Sequence, residues 1–576
     1  MKKLLAVFSL VLATAGVAAP PYVGYVYPSS LQRGTTNRVI VGGQYLWGGL
    51  KFHLSGDGVK ILEVENVPGF SPPASMQRRY LYKWLDAIAE GKRERPPLPD
   101  DPRLNEWRSN TWWNVLGELD AQKLSIVEHY LYVPQNALQM TPSLRQRVLV
   151  TIAVDKNAKV GTRKLLASAI NGMSPPRPVL ITDEPQLEER LYVPPKRRDM
   201  SPLPVKGLPI VLNGQIMPGE TDRFELSLVA GEKVCMQVVG REFQPYIGDA
   251  VPGFFNPVLK VIDQNGKECA FADDFGFHPD PVLEFTPKTT GKYVLEIRDN
   301  LFRGRADFVY SIAVTKGTQN KPYDKLSIWK SPVSEIKEGR LFKGAVPRDG
   351  MKARHRINIS SPGKYVFDLR ARRIASRLDA QMVLRDRDGN VLKVFDDIEE
   401  QLHVGALIQG ECDPYGTYEF KKQGTYELEI SDATGFGGEK YFYELLVNKE
   451  SEGVGIWTSA SGIAGRLWAS ANIEFNVIRK GGFNGKVKLI PPKDLRFSPL
   501  EIPAGTNSLP VKVSLAPGND LNVFKKVDIK AEVELNGKKT IIPVNVGDKY
   551  NQAFAWDHIL PAEEFMIYRY RSNRPP

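Results

Sequence analysis

Gly291-Lys292-Tyr293-Val294-Leu295-Glu296-Ile297, closed by Asp299, alternates apolar and polar residues with the period of a half-buried β-strand. Gly424-Thr425-Tyr426-Glu427-Leu428-Glu429-Ile430, closed by Asp432, is the same strand written again 133 positions later. The flanking text repeats with it, since Asp280-Pro281 and Tyr310 return as Asp413-Pro414 and Tyr443 at that same offset. Further upstream, Asp263-Gln264-Asn265-Gly266 and Asp273-Asp274 return as Asp386-Arg387-Asp388-Gly389 and Asp396-Asp397, 123 positions later. Fixed offsets on both sides of one ten-residue insertion, placed after Asp397, mark a duplicated β-module.

Outward from the repeats, strand text continues in both directions. Near the N-terminus, Arg38-Val39-Ile40-Val41 runs into Gly42-Gly43, and Val59 to Val64 alternates with period two. Leu81, Trp84, Leu85 and Ile88, then Trp112, Leu116 and Leu119, fall at helical spacing, and Val148 to Val154 resumes strand text. Toward the C-terminus, Ile473, Phe475 and Val477 alternate, and Asn536-Gly537 is a strong hairpin turn between two apolar runs. The expected fold class is all-β, as tandem sandwiches with a helical insertion in the first domain.

The domain division follows from these patterns: a signal peptide at 1–18, and an Ig-like sandwich at 19–193 whose helical insertion occupies about 70–140. A Pro-rich linker at 194–209 leads to two modules at 210–320 and 330–449. A C-terminal Ig-like sandwich at 453–548 and a tail at 549–576 complete the chain. Lys2 and Lys3, the apolar run Leu4–Val17 and the small residues ending at Ala18 have the layout of an export signal. The expected location is secreted, periplasmic or cell-surface, with no transmembrane anchor. Within the tail, Phe554, Trp556, Ile559, Leu560, Phe565 and Met566 carry too much apolar surface to trail in water, so the tail is expected to dock.

Composition narrows function less than fold. Hydrophobic residues at 42% and charged ones at 25% exclude large-scale disorder. The 77 basic against 66 acidic residues leave +11, spread along the chain, and nucleic-acid binding finds no support in that pattern. Cys235, Cys269 and Cys412 are too few for a disulfide scaffold, and Cys235 with Cys269 reads as a bridge or as two free thiols.

The paired modules resemble the bacterial pre-peptidase C-terminal domain, a β-sandwich. Asn213-Gly214-Gln215-Ile216, Pro218-Gly219-Glu220 and Asp222-Arg223-Phe224 match its opening, and Gly291-Lys292-Tyr293 with Glu296 its closing strand. The second copy is looser: Lys343-Gly344-Ala345-Val346-Pro347 stands for the opening, and the Asp-Arg-Phe element is missing. Tyr27-Pro28, Gln32-Arg33-Gly34-Thr35 and Val41-Gly42-Gly43 are similar to the start of immunoglobulin-like, transcription-factor-type (TIG) domains of secreted bacterial proteins. The resemblance implies modules that accompany secreted hydrolases and also occur without an enzyme.

Candidate chemistry is sparse. The six histidines stand apart, and neither His-Glu-x-x-His nor Gly-x-Ser-x-Gly occurs, so no enzyme is expected. Asp273, Asp274 and Asp280, with Asp396, Asp397 and Asp413, offer loop carboxylates of the kind structural calcium prefers, though tight turns recruit Asp equally. No other cofactor is expected. Trp107 is the candidate for stacking on a sugar ring. The resulting expectation is a non-catalytic binding or scaffolding protein whose partner is polysaccharide, envelope material or a secreted protein. The alternative is a hydrolase, or the accessory subunit of a peptidase or glycoside hydrolase, which three or more acidic or histidine side chains converging in one cleft, away from turns, would favour.

Overall fold

The computed structural model describes residues 19–46, 49–66, 75–102, 111–132, 144, 146–193, 199–243, 254–275, 279–317, 333–374, 376–396, 413–438, 440–552 and 556–571. Antiparallel strands dominate, paired into sandwiches, and the chain is all-β apart from the helices of the first domain.

In the first sandwich Thr36–Gln44 pairs with Tyr22–Tyr27 on one side and Gln146–Val154 on the other, and Val59–Asn66 closes the sheet. Gln146–Val154 is apolar almost throughout because both of its faces are covered. Val148, Val150 and Ile152 enter the sandwich core, while Leu149 faces Leu81, Trp84, Leu85, Trp113 and Leu116 of the helical insertion. The apolar stripe of Ser75–Ala89 thus finds its cover on the outside of a sheet.

The repeated modules share one sheet strand for strand, while the other has five strands in the first copy, with the extra edge Gln186–Glu188, and four in the second. One sheet runs Leu203–Pro204, Asp222–Leu228, Gly291–Asp299, Pro257–Asp263, Glu268–Ala272 in the first copy. Its counterpart in the second copy runs Val333–Ile336, Ala353–Ile359, Gly424–Asp432, Ala380–Arg385, Val391–Phe395. Register agrees as well: Leu228 faces Gly291 as Ile359 faces Gly424, and both copies shift register at one place, after Val261 and after Leu384.

Buried carboxylates organise the loops of both copies. Asp299 accepts the amides of Asn256, Leu301 and Arg303, at 3.0, 3.0 and 3.1 Å. Asp432 accepts those of Asp379, Thr434 and Phe436, at 2.9, 3.0 and 3.1 Å. Asp263 and Asp386 each accept the amides two and four residues on, which closes the Asp-x-x-Gly turn.

The chain's division differs from the sequence expectation at two places. Within the region preceding the first repeat, Gln186–Glu188 and Leu203–Pro204 pair in parallel with strands of that module and form its edges, so this stretch is part of the sandwich as well as a connector. The 549–576 stretch begins inside a strand, Val546–Gln552, which pairs with Trp556–Ala562. Phe565–Arg569 then inserts between Gly462–Gly465 and Phe524–Val527, a central place earned by the buried Phe565, Met566, Ile567 and Tyr568. Among the six apolar tail residues, Phe554 and the Trp556 side chain lie outside the described residues.

Side chains tie the last sandwich to the first. Arg177, buried in the first sandwich, lies between the Tyr22 and Tyr550 rings at 5.5 and 5.2 Å, and the Tyr550 hydroxyl donates to the Pro176 carbonyl at 2.9 Å. His53 meets Glu564 at 3.3 Å, and Ser168 meets Tyr570 at 3.2 Å. Asp548 is buried in this junction, where Oδ1 accepts the Ser461 amide at 2.9 Å, and Lys164 and Arg177 are the cations acting on it. Burial outweighs those cations and pushes its carboxyl up to about 7.

Two tests follow from these buried acids. Asp432→Ala strands three amides, a loss of about 2–3 kcal/mol, and hydrogen exchange should rise at Asp379 and 433–436 while the matching loop at Asp299 stays protected. The raised Asp548 carboxyl makes folding most favourable below the unfolded carboxyl range and progressively less so as pH rises through about 7. Asp548→Asn should therefore melt higher than the parent, by a margin that widens from about pH 5 to about pH 8. A constant margin would show that the ionised carboxylate is not what the junction opposes.

Candidate functional site

A cleft of about 390 Å3 opens between the first sandwich and the first repeat module. Three segments far apart in sequence build it: Tyr27 from the end of Tyr22–Tyr27, Glu189 just after the edge strand Gln186–Glu188, and Glu220 to Asp222 at the start of Asp222–Leu228. A buried contact fixes the two modules beside it. Ser30 Oγ donates to Ser311 Oγ at 2.6 Å, Ser311 Oγ donates to Asn213 Oδ1 at 2.7 Å, and Asn213 Oδ1 accepts the Ser30 amide at 3.2 Å. Tyr25, Tyr27, Phe243, Ala306 and Val309 pack around that contact as one apolar cluster.

Carboxyl groups converge on the cleft floor. Glu189 accepts the Gln215 amide at 2.9 Å and is hydrogen-bonded to Asp222 and to the Tyr27 hydroxyl. Asp222 in turn accepts the Tyr310 hydroxyl at 2.7 Å, and Glu220 accepts the Met217 amide at 2.9 Å. Burial, then the negative charges of Asp222 and Glu220, hold the Glu189 carboxyl well above the usual range. A proton shared between two hydrogen-bonded carboxyls is what lets both sit in one small volume. The same surroundings push the Tyr27 and Tyr310 hydroxyls up, by burial first and by the carboxylates second. Tyr192, Met200 and Met217 supply apolar walls, and Arg190 and Arg223 stand at the cleft already engaged with Asp199 and Glu296.

Such a site donates and accepts hydrogen bonds at close quarters. A protonated carboxyl beside an acceptor carboxylate can hold a hydroxyl-rich ligand, and the same pair can act as acid and base toward a bond placed across it. None of its members was a candidate from sequence. Asp222 was visible only as part of the module's opening, and the pair forms because Tyr27, Glu189 and Asp222 meet across a domain junction that no local spacing records.

The residues singled out from sequence lie elsewhere. Asp280 is buried and accepts the Gly240 and Arg241 amides at 2.9 Å, and Asp413 accepts those of Ala371, Arg372 and Arg373 at 3.0, 2.8 and 3.1 Å. Their oxygens serve the loop backbone. Asp273 and Asp274 are exposed after Glu268–Ala272, and Asp396 is exposed in a groove between the second repeat and the last sandwich. Among the described residues no group of three or more His, Cys, Asp or Glu is placed to hold a metal ion. Asp397 and Trp107 lie outside the described residues. Cys235 is buried and Cys269 exposed, with no disulfide between them, while Cys412 lies outside the described residues. The basic run at Arg370 to Arg373 is internal wiring: Arg370 and Arg373 pair with Asp368, Arg372 with Asp379, and Arg373 also with Asp413.

No family model matches the chain, and no curated protein matches it. Among solved structures it is similar to the pre-peptidase C-terminal domain of a collagenase from Bacillus anthracis, at 14% identity and TM-score 0.16, covering 20% of this chain and 93% of that one. It is similar to PliG of Aeromonas hydrophila, a periplasmic inhibitor of g-type lysozyme, at 16% identity and TM-score 0.15, covering 20% of this chain and 96% of that one. The M60 catalytic domain of Clostridium perfringens ZmpB with its two CBM51 domains aligns at 9% identity and TM-score 0.14, over 50% of this chain and 42% of that one. At these scores the likenesses carry no argument for a shared activity. Among the described residues no helix is long and apolar enough to cross a membrane.

Proposed function

We propose that this protein is a non-catalytic binding or scaffolding protein of the periplasm or cell exterior, whose ligand is a polysaccharide or a secreted protein. The observation that carries the reading is the fixed placement of the sandwiches. Buried polar and aromatic contacts join the first sandwich to the second through Ser30 and Asn213, and to the last through Arg177 and Tyr550. Rigid junctions of this kind hold several outer faces and one cleft in constant relation, which lowers the ordering cost when a large ligand spans them. The cleft fits the reading, because Glu189, Asp222 and Tyr27 offer both donors and acceptors to sugar hydroxyls or to a peptide backbone.

A hydrolase is the second reading, and one observation favours it: two hydrogen-bonded carboxyls, one of them held well above the usual range by burial and its neighbours' charge, meet in an open cleft. Glycan-array and pull-down measurements on the full chain, run beside glycoside- and peptide-hydrolysis assays, separate the two. The binding reading expects retained ligand with intact ligand chemistry. Turnover that disappears in Glu189→Gln and Asp222→Asn would replace it with the second reading. Infrared spectroscopy checks the shared proton independently: the protonated-carboxyl C=O absorption should be weaker in Glu189→Gln than in the parent at the same pH, the contribution of Asp548 being common to both.

A further inference from the structure

One end of the last sandwich presents apolar loop tips to solvent where three strands terminate together. Gly462–Gly465, Phe565–Arg569 and Phe524–Val527 form a three-stranded sheet in which Gly465 lies opposite Arg569 and Phe524 opposite Tyr568. The loop leaving Gly465 and the loop entering Phe524 therefore sit at the same end. Backbone hydrogen bonds hold them there: the Tyr570 amide donates to the Gly465 carbonyl at 2.9 Å, and the Asn522 amide donates to the Arg569 carbonyl at 2.8 Å. Beyond those anchors Leu467 is 51% exposed, Trp468 52%, Leu521 42% and Val523 57%. The Ile170 carbonyl of the first sandwich lies beside Gly465, and the Ile170 side chain is 49% exposed.

Two of these loops hold backbone conformations that side-chain-bearing residues avoid. Trp468 sits at φ 68° and Asn522 at φ 58°, both left-handed. For a residue as bulky as tryptophan that is a costly conformation, kept only where the surroundings impose it. The indole stands half exposed, with the Arg496 guanidinium 4.8 Å from the ring. Stacked rings brace the base of the patch, since Phe524, Tyr568 and Tyr570 lie 4.7 Å apart in succession.

Basic residues outnumber acids around the tips. Arg466, Lys493, Arg496 and Arg571 are exposed. The acids of the same loops are engaged: Asp494 with Arg569 at 2.8 Å and Lys525 at 3.1 Å, and Asp520 with Lys525 at 2.7 Å. Exposed Leu, Val and Trp tips ringed by arginine and lysine are what an anionic lipid surface recognises, with apolar tips entering the acyl boundary and cations meeting the headgroups.

We propose that this end of the C-terminal sandwich docks onto an anionic lipid surface, with Leu467, Trp468, Leu521 and Val523 inserted and Arg466, Arg496 and Arg571 against the headgroups. The contact is peripheral and stands apart from the cleft, so it survives whether the cleft binds or hydrolyses. Co-sedimentation of the full chain with vesicles tests it, using pure phosphatidylcholine against equal parts phosphatidylcholine and phosphatidylglycerol. Binding should favour the anionic vesicles and fall with added salt. Leu467→Ser with Trp468→Ser should weaken it roughly tenfold or more, and Arg466→Gln with Arg496→Gln should remove most of the preference for anionic lipid. Ile541→Ser, at another exposed apolar residue of the same sandwich, should leave binding unchanged. If the paired Leu467 and Trp468 variant proves unfolded by its melting curve, Val523→Ser alone replaces it with the same expectation in sign. No vesicle binding overturns the proposal, as does binding that the apolar variants leave intact, which would reduce it to attraction by net charge.

Discussion

Each repeat depends on a carboxylate buried at the end of its central strand. Asp299 and Asp432 stand where the chain leaves the sheet and must reverse, at a point where several amides would otherwise face the interior unpaired. One ionised side chain accepting two or three amides is stronger than the neutral bonds it replaces, and it fixes the loop conformation that brings the following strand back in register. Asp280 and Asp413 do the same for a loop of the opposite sheet, the one after Val234–Val239 in the first copy and after Gly363–Arg370 in the second. With both loops fixed, the two sheets of a module are held at their ends, and the apolar alternation of the strands only has to fill the space between them.

The junctions extend this logic from loops to modules. Arg177 is buried, yet its charge is balanced by the Tyr22 and Tyr550 ring faces and its Nε donates to the Val23 carbonyl at 2.7 Å. A guanidinium buried this way would be costly without those partners. It therefore ties the fit of the last sandwich to the first strand of the chain, and it places the raised Asp548 carboxyl close to cations that moderate its burial. Among the described residues the second repeat meets its neighbours at Arg377, 5.7 Å from the Phe275 ring, and at Tyr415, whose ring lies 5.9 Å from Lys480.

How much of this was legible depends on distance along the chain. Strand alternation and the Asp-x-x-Gly turns are local, so Gly291–Asp299, Gly424–Asp432 and the hairpin at Asn536-Gly537 could be read directly. The helical set Leu81, Trp84, Leu85 and Ile88 was also readable, because its period of 3.6 is a property of one segment. The turn acids carry the same local signal whether they bind backbone amides or an ion, which is why Asp280 and Asp413 left two readings open until their amide partners were seen. Tyr27 and Asp222 showed only as parts of their domains' opening motifs and Glu189 not at all, and nothing local marks them as a site until the first two modules meet. The apolar tail residues announced burial without announcing where, and Phe565–Arg569 proved to be a central strand because its partners lie some forty and a hundred residues upstream.

The cleft belongs to one repeat and not to the other, and the tyrosine the repeats share explains how. Tyr310 and Tyr443 occupy equivalent core positions, and a buried hydroxyl must find a partner. In the second copy His355 supplies it, sealed inside the module, and burial holds that imidazole down to about 4, neutral and out of reach of solvent. In the first copy Asp222 supplies it from the strand's first residue, a position that Ala353 fills in the second. That position lies at the module's rim, where Glu189 follows the edge strand Gln186–Glu188 and Tyr27 arrives from the neighbouring domain. The same structural need was met with a sealed group in one copy and a cleft-facing carboxyl in the other, so the acid pair draws its proton-sharing chemistry from a substitution at a single strand end.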